Sequence, residues 1–185
     1  IDWLFKNNLL KDVSSSSSII ENIKDDNNVF MVPSFTGLSA PYWISNAKGT
    51  INGIGLDTSK DHIVKAAFNG IAFQCAEVIK LLAKKQNQKN IEVCADGGPT
   101  KNNYLMQKQA DLLNMEVKVS KEKNMTAFGA SLIAALGANQ IQQSDLKNFR
   151  VSYETFVPRI SSDQREFEWD RWYKNIKIIK DIYNN

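Results

Sequence analysis

Residues 91–113, IEVCADGGPTKNNYLMQKQADLL, constrain this chain more than any other stretch. Residues 91–95 are a short apolar run that reads as a strand, and Asp96-Gly97-Gly98-Pro99 breaks it. The spacing of Leu105, Met106, Gln109, Leu112 and Leu113 predicts a helix from near Lys101 to Leu113. Two glycines at a strand-to-helix turn let a ligand approach bare main chain, because no Cβ stands in the way. The helix that follows aims its unpaired N–H groups and positive dipole end at the same place. That arrangement suits an anionic, flat-ringed ligand such as a nucleotide. It suits a tight turn with no ligand equally well.

A length of 185 residues fits one domain or a large part of one. The share of hydrophobic residues, 43%, is ordinary for a globular protein and permits a core. A net charge of +3 is too small to point to nucleic acid, and Lys84-Lys85 with Lys89 reads as a solvated helix end. No apolar run reads as long enough to cross a membrane, and no signal peptide is visible. Cys75 and Cys94 sit in apolar patterns and are expected to be buried free thiols rather than a disulfide. The single histidine, His62, gives no support to a metal site. The chain opens without Met, inside the amphipathic pattern Ile1, Trp3, Leu4, Phe5, and is expected to be the carboxyl-terminal part of a longer polypeptide.

Along the chain, residues 1–8 read as the end of a helix. The serine run 14–18 reads as a low-complexity loop or disordered insertion whose last serine caps a helix over 19–24. Residues 25–28 turn the chain into a strand over 29–32, ended by Pro33. Residues 33–43, PSFTGLSAPYW, have no regular period and read as a packed irregular loop. Its aromatic rings either line a cleft or plug the edge of the core; area burial favours the plug. Residues 49–56 are extended with glycines at bends and lack the Gly-Lys-Ser/Thr of a phosphate loop. Thr58 or Ser59 caps a long helix, with His62 as a capping or surface residue in its first turn. One face of that helix is predicted to be Ile63, Ala67, Gly70, Ile71, Gln74, Val78, Leu81 and Leu82. A short strand follows over 116–119. The helix over 126–137 is nearly all small or apolar and is expected to be buried on most sides. A short helix over 145–149, an extended 156–158 and a capping box at Ser161 to Gln164 lead to a closing helix. Its face carries Phe167, Trp169, Trp172, Tyr173, Ile176, Ile179 and Ile182.

These segments, in this order, resemble the carboxyl-terminal domain of the FGGY carbohydrate kinases. The resemblance rests on four groups of residues: Phe35 to Trp43; the spaced glycines Gly49, Gly53 and Gly55 with His62-Ile63 and Ala66-Ala67-Phe68; Asp96-Gly97-Gly98 with Asn103 and Leu105-Met106-Gln107; and Thr126-Ala127-Phe128-Gly129-Ala130. It covers nearly the whole of 1–185 and implies an α/β, ribonuclease-H-like (actin-like ATPase) domain with a mixed sheet and helices on both faces. The 35–43 loop resembles the form carried by glycerol-phosphorylating members rather than the more polar form of xylulose-phosphorylating ones. The second signature departs from the usual pattern by ending in Asn69.

The resemblance implies a cytoplasmic enzyme that uses ATP and Mg²⁺ to phosphorylate glycerol to sn-glycerol 3-phosphate, and that forms a dimer or tetramer. It implies nucleotide contact at Gly98 and Pro99 and a hydrogen bond from Asn103 to the adenine. No catalytic or metal-ligating residue is assigned within the chain, since the family's catalytic aspartate belongs to a segment upstream. The isolated chain is therefore expected to be inactive. Asp2 departs from the amide or basic residue usual at its place; a carboxylate there repels polyphosphate unless it points away or meets the metal. Two other readings stay open: another FGGY sugar or polyol kinase, and a non-catalytic actin-like nucleotide-binding module.

Overall fold

A computed structural model describes residues 1–23, 27–86, 91–122 and 124–183. The chain runs α1 (Asp2–Lys6), α2 (Val13–Glu21), β1 (Phe30–Val32), β2 (Thr50–Asn52), α3 (Lys60–Gln86), β3 (Val93–Ala95), a 3-10 turn (Gly98–Lys101) and α4 (Asn103–Leu113). It continues with β4 (Val117–Ser120), α5 (Met125–Gly137), a 3-10 helix (Gln143–Asn148), β5 (Tyr153–Phe156) and α6 (Ser162–Tyr183). The mixed α/β class is as expected, but the strands form two sheets. β1 and β2 pair antiparallel with Met31 opposite Ile51. β4 is the centre of the second sheet, parallel to β3 (Cys94 opposite Lys118) and antiparallel to β5 (Lys118 opposite Thr155).

α3 is the spine. Ser59 opens it: its hydroxyl accepts from the His62 amide at 3.4 Å while its own amide donates to His62 Nδ1 at 2.9 Å, so the histidine is a cap. Val64, Phe68, Ala72 and Ala76, spaced by four, are buried together with Ala66, Ala67, Gly70 and Phe73. The buried face is thus rotated from the predicted one: Ala67 and Gly70 belong to it, whereas Ile63, Ile71, Gln74, Val78 and Leu81 lie at its border and Leu82 is exposed. The small residues decide this rotation. At Gly70 the helix backbone crosses β1 so closely that an added Cβ would overlap the Met31 carbonyl oxygen and lie 2.8 Å from Pro33 Cδ. By length and composition alone, an 18-residue window within residues 60–84, of mean hydropathy 1.3, is apolar enough to cross a bilayer; in this fold the helix carries the core.

α6 lies across α3 by its aromatic face, as predicted for Trp169, Trp172, Ile176 and Ile179. Phe73 stacks on Trp172 at 5.2 Å and meets the edge of Trp169 at 5.2 Å. Phe167, Tyr173 and Ile182 stay exposed. Both indoles are satisfied: Trp169 Nε1 donates to the Leu112 carbonyl and Trp172 Nε1 to Glu77 Oε2, each at 3.1 Å.

Several other expectations are corrected. The serine run is helical within α2, not a loop. Asp12 caps it by accepting from the Ser15 amide at 2.8 Å, and Ser16 and Ser18 turn their hydroxyls back onto carbonyls three residues earlier. The end of the helix expected over 19–24, and the first half of the turn expected at 25–28, lie outside the described residues. α5 forms as predicted, yet none of its residues is buried, and Ile133 is 72% exposed. Cys75 and Cys94 are exposed, one on the outer side of α3 and one on an edge strand. The 33–43 loop plugs the core with Leu38, which pairs with Ile44 just beyond the loop across an isolated bridge, and of its rings only Tyr42 packs against the core. Trp43 is 78% exposed and Phe35 stacks outside the core on Trp3 at 5.4 Å. Tyr42 is half-buried and donates its hydroxyl to Glu77.

Candidate functional site

β3 delivers the chain to Asp96, and Gly97 then turns it with φ 105° and ψ 178°, a conformation that favours glycine. The predicted helix divides here. Gly98–Lys101 is a 3-10 turn, held by the Thr100 amide and hydroxyl donating to the Gly97 carbonyl at 3.1 and 2.7 Å. α4 starts only at Asn103, and Asn102 is its N-cap, with Oδ1 accepting from the Leu105 amide at 2.6 Å. Asn102 is wholly buried, and its Nδ2 donates to Ser16 Oγ at 2.5 Å. Asn103, the next residue, is exposed at the first position of the helix. Of the two adjacent amides, one is thus committed to the fold and the other faces outward.

Gly98 differs from the glycines that the fold itself requires. An added Cβ at Gly53 would collide with the Asn28 carbonyl, as one at Gly70 would with Met31. At Gly98, among the described residues, no atom other than those of its chain neighbours lies within 4 Å of that Cβ. The one internal constraint is Pro99, which disfavours a helical backbone for a preceding residue that bears a Cβ. What lies in front of Gly98 is open space on the wall of a hollow of about 500 Å³. Ile1 with Asp2 and Phe5 of α1, Lys11 and Asp12 just before α2 with its first residue Val13, and Gly98, Pro99 and Lys101 line it. The two lysines are balanced by two aspartates, and Asp12 is engaged in capping.

Of the sequence-derived site residues, the structure brings Gly98 and Pro99 together on one wall; Asn103 stands just beyond them, outside the lining. Asp2 faces the same hollow. Asn102 and Ser16 went unnoticed in the sequence. An Asn before an amphipathic run is a cap signal, but Asn102-Asn103 offers it twice, and periodicity does not say which of the two is the cap. Among the described residues no group of three or more His, Cys, Asp or Glu side chains gathers to hold a metal. Chemically, the site offers bare main chain, an outward amide that can both donate and accept, and two flexible cations.

Residues 1–138 match the C-terminal domain of the FGGY family of carbohydrate kinases. Glycerol kinase 1 of Thermotoga maritima is 35% identical over 183 residues, covering 97% of this chain and 37% of that protein. Glycerol kinase of Mycoplasma pneumoniae is 38% identical over 155 residues, covering 83% of this chain and 30% of that protein. The crystal structure of Plasmodium falciparum glycerol kinase with ADP superposes with a TM-score of 0.85 at 34% identity, covering 96% of this chain and 36% of that one. Ligand-bound xylulose kinase from Lactobacillus acidophilus, at 20% identity and a TM-score of 0.74 over 96% of this chain and 36% of that one, shares the fold. The chain spans about a third of the length of the first relatives it matches. With 138 of its 185 residues matched by the family's C-terminal domain, and relatives a third identical over nearly its whole length, the chain belongs to the FGGY family of carbohydrate kinases.

Proposed function

We propose that the polypeptide carrying this chain phosphorylates glycerol to sn-glycerol 3-phosphate with ATP, and that this chain supplies part of the ATP site. The observation that carries the reading is the unobstructed main chain of Gly98, beside Pro99 on the hollow, in a chain a third identical to proteins named glycerol kinase. Gly98 and Pro99 form the surface on which the adenosine rests. The outward carboxamide of Asn103 hydrogen-bonds the adenine, donating and accepting along the base edge.

Mg²⁺ fits as a companion of the nucleotide rather than a resident of this chain, because no carboxylate cluster is present among the described residues. Such an ion is ordinarily held by phosphates, waters and one or two carboxylates, and Asp2 on the hollow is available as one of these. When bound it neutralises the phosphates; the chain's own part is positioning.

The catalytic base and the remaining substrate contacts belong to the rest of the polypeptide, so residues 1–185 alone lack kinase activity. The same remainder completes the domain. β3 is an edge strand, and the apolar helix α5 has no buried residue among those described, so both present surface that further strands would cover. The enzyme is a homo-oligomer, dimer or tetramer, and works in the cytoplasm, in keeping with two unpaired cysteines.

The test is turnover by the complete polypeptide with ATP and glycerol, xylulose or gluconate in turn. Phosphorylation of glycerol well ahead of the sugars is expected. A preference for a sugar would refute the substrate, and an absence of ATP binding would refute the kinase reading in favour of a ligand-free turn.

A further inference from the structure

The serine run has no place in the reading above, yet one of its members reaches the site's supporting shell. Ser16 and Asn102 are both 0% exposed. The Ser16 hydroxyl donates to the Val13 carbonyl at 2.5 Å and accepts from Asn102 Nδ2 at 2.5 Å. The Asn102 amide in turn donates to the Pro99 carbonyl at 3.1 Å. Val13 and Pro99 are opposite ends of this chain of bonds, and both line the hollow. A second tie runs from the Tyr104 amide to Ser17 Oγ at 3.4 Å. The orientation of the Asn102 carboxamide is determined: reversing it would set an N–H against the Leu105 N–H and leave the Val13-directed hydroxyl without its second bond.

We infer that Ser16 and Asn102 are positioning residues for the nucleotide, forming a buried strut that sets the separation between the α2 wall of the hollow and the Gly98–Lys101 wall. This rests on the nucleotide reading of that hollow. Neither residue touches the ligand. They act through Val13 on one side and through Pro99 and Asn103 on the other. Within the serine run, position 16 is where α2 needs a small hydroxyl facing α4, whereas Ser18 is exposed and its hydroxyl bonds the Ser15 carbonyl of its own helix.

The experiment is calorimetric titration of ADP, with steady-state kinetics, on the complete polypeptide and its Ser16→Ala and Ser18→Ala variants. Ser16→Ala leaves Asn102 Nδ2 buried without an acceptor, so the walls shift. The expected result is a roughly tenfold higher Kd for ADP with the KM for glycerol unchanged. Ser18→Ala is expected to bind ADP as the unsubstituted protein does. If Ser16→Ala fails to fold, Ser16→Cys, isosteric and a weaker acceptor, is expected to give a smaller loss of the same kind. A serine with a merely structural role would lower the melting temperature and leave the ADP Kd of the folded protein unchanged; that outcome, or equal losses for ADP and glycerol, overturns the inference alone. Failure of the unsubstituted protein to bind ADP overturns the nucleotide reading and the inference with it.

Discussion

A methyl group added at Gly98 separates the two reasons for a glycine there. In front of that position the described residues, chain neighbours aside, place nothing within 4 Å, and the backbone lies outside the left-handed region. The folded chain therefore has room for alanine, except for the restriction imposed by Pro99. Replacing Pro99 by alanine removes that restriction, so the informative comparison is Pro99→Ala against Gly98→Ala with Pro99→Ala. In that pair the added Cβ brings no clash, and Gly→Ala stabilises by about 0.4–1 kcal/mol through the unfolded chain. The ligand meets a different surface. An adenosine in van der Waals contact with bare main chain encounters a carbon about 1.5 Å further out. Overfilling a packed contact of this kind costs about 1–3 kcal/mol, which is roughly a 5- to 150-fold weaker Kd. Calorimetric titration of ADP and scanning calorimetry of the complete polypeptide measure the two effects separately. An unchanged Kd would refute the close approach of ligand to Gly98. A weaker Kd accompanied by a collapse in melting temperature would show that the glycine serves the fold.

Other perturbations test the frame. Gly70→Ala drives a methyl into the Met31 carbonyl and Pro33, forcing α3 off β1; a loss of about 3 kcal/mol is expected in urea unfolding, and a loss below about 0.5 kcal/mol would contradict the packing. Asp12→Ala removes the cap of α2 and is expected to cost about 1 kcal/mol by the same measurement; no change would mean the serine helix is held without its cap. Burial pushes the Glu77 carboxyl above its ordinary range, although Tyr42 and Trp172 donate to it and Lys180 and Lys80 favour its charge. The native state then holds a proton where the unfolded state has lost it, so stability falls as pH rises from the ordinary glutamate range through the native value. Glu77→Gln is expected to flatten that part of the melting-temperature profile, and an unchanged slope would place its origin elsewhere.

Strand, glycine turn and helix around Gly98 were legible because apolar runs and a glycine pair leave few alternatives. The division at Asn102 was not, because one residue of shift between cap and first turn leaves helical periodicity intact. The serine run was misread for a related reason. Serine is a poor helix former in isolation, and α2 is held by Asp12 at its start and by Asn102 from another element, a contact 86 residues away in sequence. The aspartate preceding the run was the available signal. Composition correctly marked α5 as apolar and then overreached, since apolar residues are buried only where something covers them. The rotation of α3 followed its smallest residues rather than its largest, because backbone contact at Gly70 outweighs the placement of Ile63 and Leu82.

The central claim, that bare main chain at Gly98 and the outward amide of Asn103 hold an adenosine, is tested most directly by crystals of the complete polypeptide soaked with ADP. The expected density puts the adenosine in contact with Gly98 and Pro99, with the purine edge within hydrogen-bonding distance of the Asn103 carboxamide. Density that placed the purine away from Gly98 and Asn103, with the hollow between α2 and the Gly98–Lys101 turn filled only by solvent, would contradict it.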